Sequence, residues 1–266
     1  MRNLVLMACA ITLAIGTAPA IVLAAGSGCP TEPGWSYSDN TGPDFWGTLF
    51  PVLCGLGVRQ SPIDIVTSNT VLTKLPDLVF HYNVADVVTL DHNDQTLIND
   101  GEGNYITIGK TEYLLYNIHA HTPSEHTING KRFPLELHFV HKSEAGQIAV
   151  VAVLVEAGKP DDGIIEGPSE SHPSTVEFNL VDLIPQDHRR FSYDGSLTTP
   201  GEDPTTIGCP EVALWTVMKN PIQMSSDQIQ EFENSGIACW GTKDTARPVQ
   251  PINNRFILVS PQCSNQ

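Results

Sequence analysis

The chain is poor in positive charge. Its 14 Lys and Arg stand against 30 Asp and Glu, a formal net charge of −16 over 266 residues. An acidic surface of this kind serves solubility and repels nucleic acid and anionic lipid, so neither is expected as a partner. No two cysteines form a CxxC pair, which argues against a cysteine-based zinc site. Internal repeats and low-complexity tracts are lacking, which excludes solenoids and propellers. Beyond the first residues no apolar run is long enough to span a bilayer. The final "ILVSPQCSNQ" carries no hydrophobic tail of the kind a lipid-anchor signal needs.

Residues 1–25, "MRNLVLMACAITLAIGTAPAIVLAA", combine one arginine, no acid, a long apolar run and small residues at the exit. That composition predicts a secretory signal peptide, cleaved after a small residue, with Gly16 and Pro19 arguing against a spanning anchor. Residues 26–266 are then a single exported domain, extracellular or, in a Gram-negative cell, periplasmic. It should have no stable membrane association once the leader is gone. Removing the leader takes away Arg2 and Cys9, leaving Cys29, Cys54, Cys209, Cys239 and Cys263. Widely spaced cysteines in an oxidising compartment predict disulfides. Five is odd, so at least one is free or pairs with another chain, and the oligomeric state stays open.

Residues 26–50 read as an irregular arm rich in Gly, Pro and Ser. From "RQSPIDI" onward, short β-branched and aromatic segments recur between turn residues, which predicts a mostly β fold. It should be a single domain on a large twisted, mainly antiparallel sheet with a few short peripheral helices. "QIAVVAVLVEA" is apolar on both parities, as a strand covered on both faces would be. The best helix candidates are "PSTVEFNLVDLI" and "SSDQIQEFENS", the second with Ser226 as N-cap.

Within "NIHAHTPSEHTINGK" two histidines are separated by one alanine. In a strand, residues i and i+2 share a face, so His119 and His121 project together, roughly 7 Å apart. The "NG" at 129–130 predicts a hairpin whose register sets His121 opposite His138. Three neutral imidazoles on one sheet face suit zinc, which takes nitrogen ligands and leaves a fourth position for water. A lone histidine would more often be a hydrogen-bonded core residue. Glu136 shares the parity of His138 and can fix its tautomer. His141 has the opposite parity and reads as structural, and His126 as a member of a polar network. His81, His92, His172 and His188 show no partnering pattern.

"IHAHTPSEHTINGKRFPLELHFVH" resembles the zinc-binding core of the α-class carbonic anhydrases, in particular the plant and microbial branch. "WSYSDNTGPDFW", with Trp35, Tyr37 and Trp46, "RQSPIDI", "FSYDGSLTTP" and "ARPVQPINNR" resemble further signatures of that family, in the family's order. The coverage runs from about Trp35 to about Val259. The resemblance implies zinc-dependent reversible hydration of carbon dioxide to bicarbonate and a proton by a zinc-bound hydroxide, with CO2 and bicarbonate as the small-molecule partners. Small activated esters would be side substrates. It implies His119, His121 and His138 as metal ligands, and Thr198 as the hydroxyl that orients the nucleophile. It implies Glu125 as the acceptor of the Thr198 proton, Glu136 as the partner of a ligand histidine, and Thr199 as a contact to substrate. Val140, Val150, Leu197 and Trp215 match the apolar wall that receives CO2, although core packing alone would explain such residues. Cys54 and Cys209 match a disulfide of secreted relatives.

The sequence also departs from the family. Glu102 stands where many members carry a proton-ferrying histidine, and a carboxylate with a pKa near 4.3 is poorly matched to that task. Ala120 and Thr122 replace bulkier residues, which predicts looser packing by the metal. Asn117 replaces a longer glutamine, and "PGEDPTTIGCPE" lengthens the link to Trp215. The rival reading is a noncatalytic storage or binding protein on the same fold, against which stand the three histidines, Glu125 and Thr198.

Overall fold

The structure, a computed structural model, describes residues 34–84, 86–91, 96–99, 103–158, 177–200 and 208–261. The leader, Cys29, Cys263, His92, His172 and Glu102 lie outside these residues.

The described strands are β1 (Asp64–Ile65), β2 (Val71–Leu72), β3 (Leu78–His81), β4 (Val87–Asp91) and β5 (Thr96–Asn99). Then come β6 (Tyr105–Ile108), β7 (Thr111–His121), β8 (Thr127–Ile128), β9 (Leu135–Lys142) and β10 (Ile148–Ala157). The last are β11 (Glu177–Asn179), β12 (Arg190–Gly195), β13 (Ala213–Met218), β14 (Ile222–Met224) and β15 (Leu258–Val259). One large sheet runs β11-β4-β5-β7-β9-β10-β13-β12-β15-β2, with β3, β6 and β14 attached beside it. Most pairings are antiparallel; β10–β13, β10–β14 and β15–β2 are parallel. The sheet is thus mainly antiparallel, as expected, with a parallel minority at these three pairings.

β10 sits at the centre because its sequence can be buried on both sides. Ala149, Val151, Val153 and Val155 enter one core, together with Leu135, Leu137 and Phe139 of β9. Val150, Ala152 and Leu154 enter the other, with Phe191 of β12 and Trp215 of β13. A fully buried Val or Leu contributes about 1.5–3 kcal/mol, so this strand anchors both layers.

Helices are few. α1 (Trp46–Leu49) is one turn, flanked by 3-10 turns at Asp39–Thr41 and Pro43–Phe45 and a π turn at Pro51–Gly55. The arm read as irregular thus contains short helical turns, and its rings dock on the long helix. That helix is α2 (Ser226–Trp240). Trp35 stacks on Trp240 at 5.1 Å, and Tyr37 meets the same ring edge-on at 5.2 Å. The N-cap of α2 is Ser225, not Ser226: Ser225 accepts from Gln228 N–H at 3.1 Å while Gln228 Oε1 accepts from Ser225 N–H at 2.8 Å. Ser226 would place apolar Ile229 at the third position, where no side chain could return a bond. Gly241 ends the helix at φ +69°, a left-handed conformation suited to glycine.

The other helix candidate is corrected. Its described part is strand β11 followed by a 3-10 turn, Leu180–Leu183. Phe178 lies opposite Val88 of β4 and is fully buried, with Leu180 and Leu183, so pairing at the sheet edge overrides helical propensity.

Cys54 and Cys209 form a disulfide spanning 155 residues. Cys239 is also disulfide-bonded. Among the described residues no helix is long and apolar enough to cross a membrane.

Candidate metal centre

β7 and β9 supply the three histidines, but in a register different from the one the hairpin predicts. Ile128 does face Lys131 across the turn. Further along, His119 faces His138 and His121 faces Glu136, a slip of two residues. The slip arises because the arm between His121 and Ile128 is two residues longer than the arm between Lys131 and Glu136. That longer arm leaves the hairpin, and Thr127–Ile128 pairs instead with Asp64–Ile65. An even slip keeps every side chain on its original face, so the imidazoles still converge. Their ring centroids are 4.7 to 5.2 Å apart, and one ligating nitrogen from each lies within 4.8 Å of the others.

Each ring has one nitrogen already engaged. His119 Nδ1–H donates to Asn117 Oδ1 at 2.6 Å, so the shorter amide reaches after all, because it sits two residues away on the same face. His121 Nδ1–H donates to the Thr245 carbonyl at 2.7 Å. His138 Nε2–H donates to Glu136 Oε1 at 2.8 Å. Each remaining nitrogen keeps its lone pair for a metal. Burial, reinforced by the neighbouring imidazoles, pushes the His119 pKa well below its usual value. Burial also lowers that of His121, against the opposing pull of Glu125. Neutral, desolvated imidazoles with a fixed tautomer are the form that binds zinc. His121 Nε2 is buried without a hydrogen-bond partner, as is Glu125 Oε2. This donor set fits zinc.

Glu136 is more than a partner to one ligand. It also accepts from His126 Nδ1–H at 2.6 Å and from the His126 backbone N–H at 2.7 Å. Burial alone would raise its pKa, but the charge and hydrogen bonds of His126 and the bond from His138 win and hold it well below the carboxylate range. His126 Nε2 meets the Tyr193 hydroxyl at 2.7 Å, and Tyr193 donates to Ser61 Oγ at 2.9 Å. Ser61 and Ser196 then exchange two bonds, Ser61 N–H to Ser196 Oγ and Ser196 N–H to Ser61 Oγ. Gly195 allows this approach; a Cβ there would lie 2.2 Å from Ser61 Oγ. His126 is thus the network member the sequence suggested.

The chain leading into Thr198 is anchored by two hydrogen bonds. Trp215 Nε1–H donates to the Ser196 carbonyl at 2.9 Å, and Leu197 N–H to the Pro210 carbonyl at 3.0 Å, next to Cys209. Thr198 is buried, and Leu197 and Thr199 are half-buried. Glu125 Oε1 accepts the Arg247 backbone N–H at 2.9 Å. Val140, Val150 and Trp215 lie abreast on β9, β10 and β13, with Val140 on the face of His138, and Leu197 packs on the same cluster. His141 points into the opposite core, where its Nε2 meets the Tyr82 hydroxyl at 2.7 Å. His81 stacks on Tyr105 and His188 packs on Phe80, both away from the centre.

Thr245, Arg247, Tyr193 and Ser61 were not assigned roles from the sequence. Arg247, Tyr193 and Ser61 fall inside the quoted motifs, which is the available signal; Thr245 immediately precedes one.

Residues 41–261 match the family described as eukaryotic-type carbonic anhydrase. The chain belongs to the alpha carbonic anhydrase family. It is 33% identical over 251 residues to a carbonic anhydrase of Nostoc sp., covering 87% of this chain and 90% of that protein. The solved alpha carbonic anhydrase of Thermovibrio ammonificans, in complex with the inhibitor sulfanilamide, superposes with a TM-score of 0.70 at 32% identity. That match covers 84% of this chain and 98% of the other. Dioscorin complexed with ascorbate is also similar, with a TM-score of 0.71 at 28% identity over 87% of this chain and 99% of that one. Family and fold together support hydration of carbon dioxide as the activity of this alpha carbonic anhydrase.

Proposed function

We propose that the protein hydrates carbon dioxide reversibly with one zinc held by His119, His121 and His138. The observation that carries this reading is the convergence of three imidazoles, each with its other nitrogen already committed. When bound, zinc supplies a nucleophilic hydroxide at neutral pH by lowering the pKa of water to about 7. The chain's own groups set up the rest. Asn117, Thr245 and Glu136 hold the ligand rings in place.

Glu125 Oε2 is buried without a hydrogen-bond partner, 3.5 Å from His121 Nε2, and a hydroxyl from Thr198 suits it. A threonine whose proton is committed to a carboxylate can only accept at the reaction side, which orients the attacking oxygen. Val140, Val150, Leu197 and Trp215 form an apolar wall for CO2, and Thr199 contacts bicarbonate. Proton export is assigned to the stretch containing Glu102, and an external buffer takes over what that carboxylate cannot carry. Residues 1–25 act as a cleaved leader, and the Cys54–Cys209 disulfide fits an oxidising destination.

Zinc content and CO2 hydration of the mature protein test this directly. The expected result is about one zinc per chain, with hydration abolished in His121→Ala. Full zinc occupancy in a variant with all three histidines replaced by alanine would sink the assignment. Similarity to dioscorin favours one rival, a noncatalytic binding protein on the same fold; zinc-loaded protein with no hydration activity would select it.

A further inference from the structure

β7 is paired along one flank to its last residue, His121 opposite Glu136. On its other flank the described part of β5 reaches only as far as Thr96, opposite His119. The segment Lys243–Thr245, arriving just after the end of α2, covers the flank of His121 and Thr122. Thr245 N–H donates to the Thr122 carbonyl at 2.7 Å, as a neighbouring strand would. The return bond of a ladder would use the Thr245 carbonyl, but that carbonyl already receives His121 Nδ1–H. Thr245 Oγ1 takes its place and accepts Thr122 N–H at 3.1 Å. The Thr122 hydroxyl in turn donates to the Lys243 carbonyl at 2.7 Å. Both threonines are essentially fully buried, at 1% and 0% exposure. The expected loose packing at Thr122 is replaced by a hydrogen-bonded clasp.

We propose that Thr122 and Thr245 are positioning residues of the metal centre. Their two hydroxyls lock segment 243–245 against the end of β7, fixing the Thr245 carbonyl and, through it, the ring plane of His121. The ring can point Nε2 at the metal only while that carbonyl stays in place. Groups that orient a ligand histidine typically account for a 10- to 100-fold difference in metal affinity. Valine matches threonine in shape without the hydroxyl, whereas serine keeps the oxygen.

This inference rests on the three-histidine reading above, and the experiment separates the two. Zinc affinity is measured by chelator competition on the full mature chain and on Thr122→Val, Thr245→Val, Thr122→Ser and Thr245→Ser. The His121 Nδ1–H signal is followed by NMR in the metal-free protein. The valine variants should bind zinc about 10- to 100-fold more weakly and expose the His121 ring proton to exchange; the serine variants should recover both. Phe178→Leu, in the opposite core, should lower the melting temperature while leaving zinc affinity alone, which removes general destabilisation as an explanation. If Thr245→Val does not fold, Thr122→Val, which leaves the backbone bonds intact, carries the test. Wild-type protein that fails to bind zinc would overturn the metal reading itself. Wild-type binding with equal affinity in the valine variants would overturn the clasp alone.

Discussion

His141 should make the protein acid-sensitive by an amount that the structure sets. The side chain is fully buried in the core opposite the metal, stacked on Tyr82 and bonded to its hydroxyl. Burial lowers its pKa from 6.5 to about 4, and burial likewise keeps Tyr82 protonated and neutral. At pH 7 the imidazole is neutral whether the chain is folded or unfolded. As pH falls through 6.5 the unfolded chain takes up a proton that the folded one refuses until about pH 4. The stability contribution is therefore complete above 6.5 and is lost progressively toward 4. Linkage puts the loss from this one group at about 2 kcal/mol between pH 7 and pH 5, and about 3 kcal/mol by pH 4. The assay is urea unfolding at pH 7 and pH 5 of wild type and of His141→Gln, which keeps a hydrogen-bonding group near Tyr82 but does not titrate. All other ionisable groups are shared, so the difference in pH dependence isolates His141. Gln should be less stable at pH 7 yet lose about 2 kcal/mol less on acidification. Equal losses in the two proteins would refute the reasoning.

The remaining predictions concern the cross-links and the catalytic loop. Replacing Cys54 and Cys209 with serine together should cost about 5 kcal/mol by loop-closure entropy over the 155-residue span, read by denaturation, with no change in zinc content. Non-reducing peptide mapping should show Cys54 joined to Cys209 and Cys239 in a second disulfide; a free thiol at Cys239 contradicts the structure. Thr198→Ala should retain zinc but hydrate CO2 about a hundredfold more slowly, the scale of a lost positioning and electrostatic contact. An unchanged rate would show that Glu125 and Thr198 do not act as a pair.

What the sequence made legible follows from the range of the physics involved. β10 could be recognised because burial on two faces leaves a mark on every residue of one short segment. α2 was recognisable from the capping signal at its start, and its boundary missed by one residue because two serines compete for the cap. The stretch ending at Ile184 was misread because its apolar residues at 176, 178, 180 and 183 fit either period. Only the distant edge of β4 decides between them. Residues that serve the centre from afar were harder still. Thr245 and Arg247 reach His121 and Glu125 across more than 120 residues, and no local pattern encodes where the chain lands after leaving α2.

The ligand set was nonetheless legible although its register was not, and parity explains why. His119, His121 and His138 were chosen because they share a face, a property fixed within each strand by its two-residue repeat. Their pairing depends on how many residues the connecting arms spend elsewhere, here on the short parallel contact of Thr127–Ile128 with Asp64–Ile65. An excess of two residues leaves the face untouched, whereas an excess of one would have turned His119 and His121 away from His138. The bulge between Leu115 and Asn117 makes the same point in reverse. The extra residue, exposed Tyr116, lets Leu115 pack on the core opposite the metal while Asn117 and His119 face the centre. The bulge must lie before Asn117, since one placed between Asn117 and His119 would break the hydrogen bond that commits His119 Nδ1. Metal chemistry in this fold thus depends on local alternation being kept from Asn117 to His121 and from Glu136 to His138, while the arms between are free to serve other contacts.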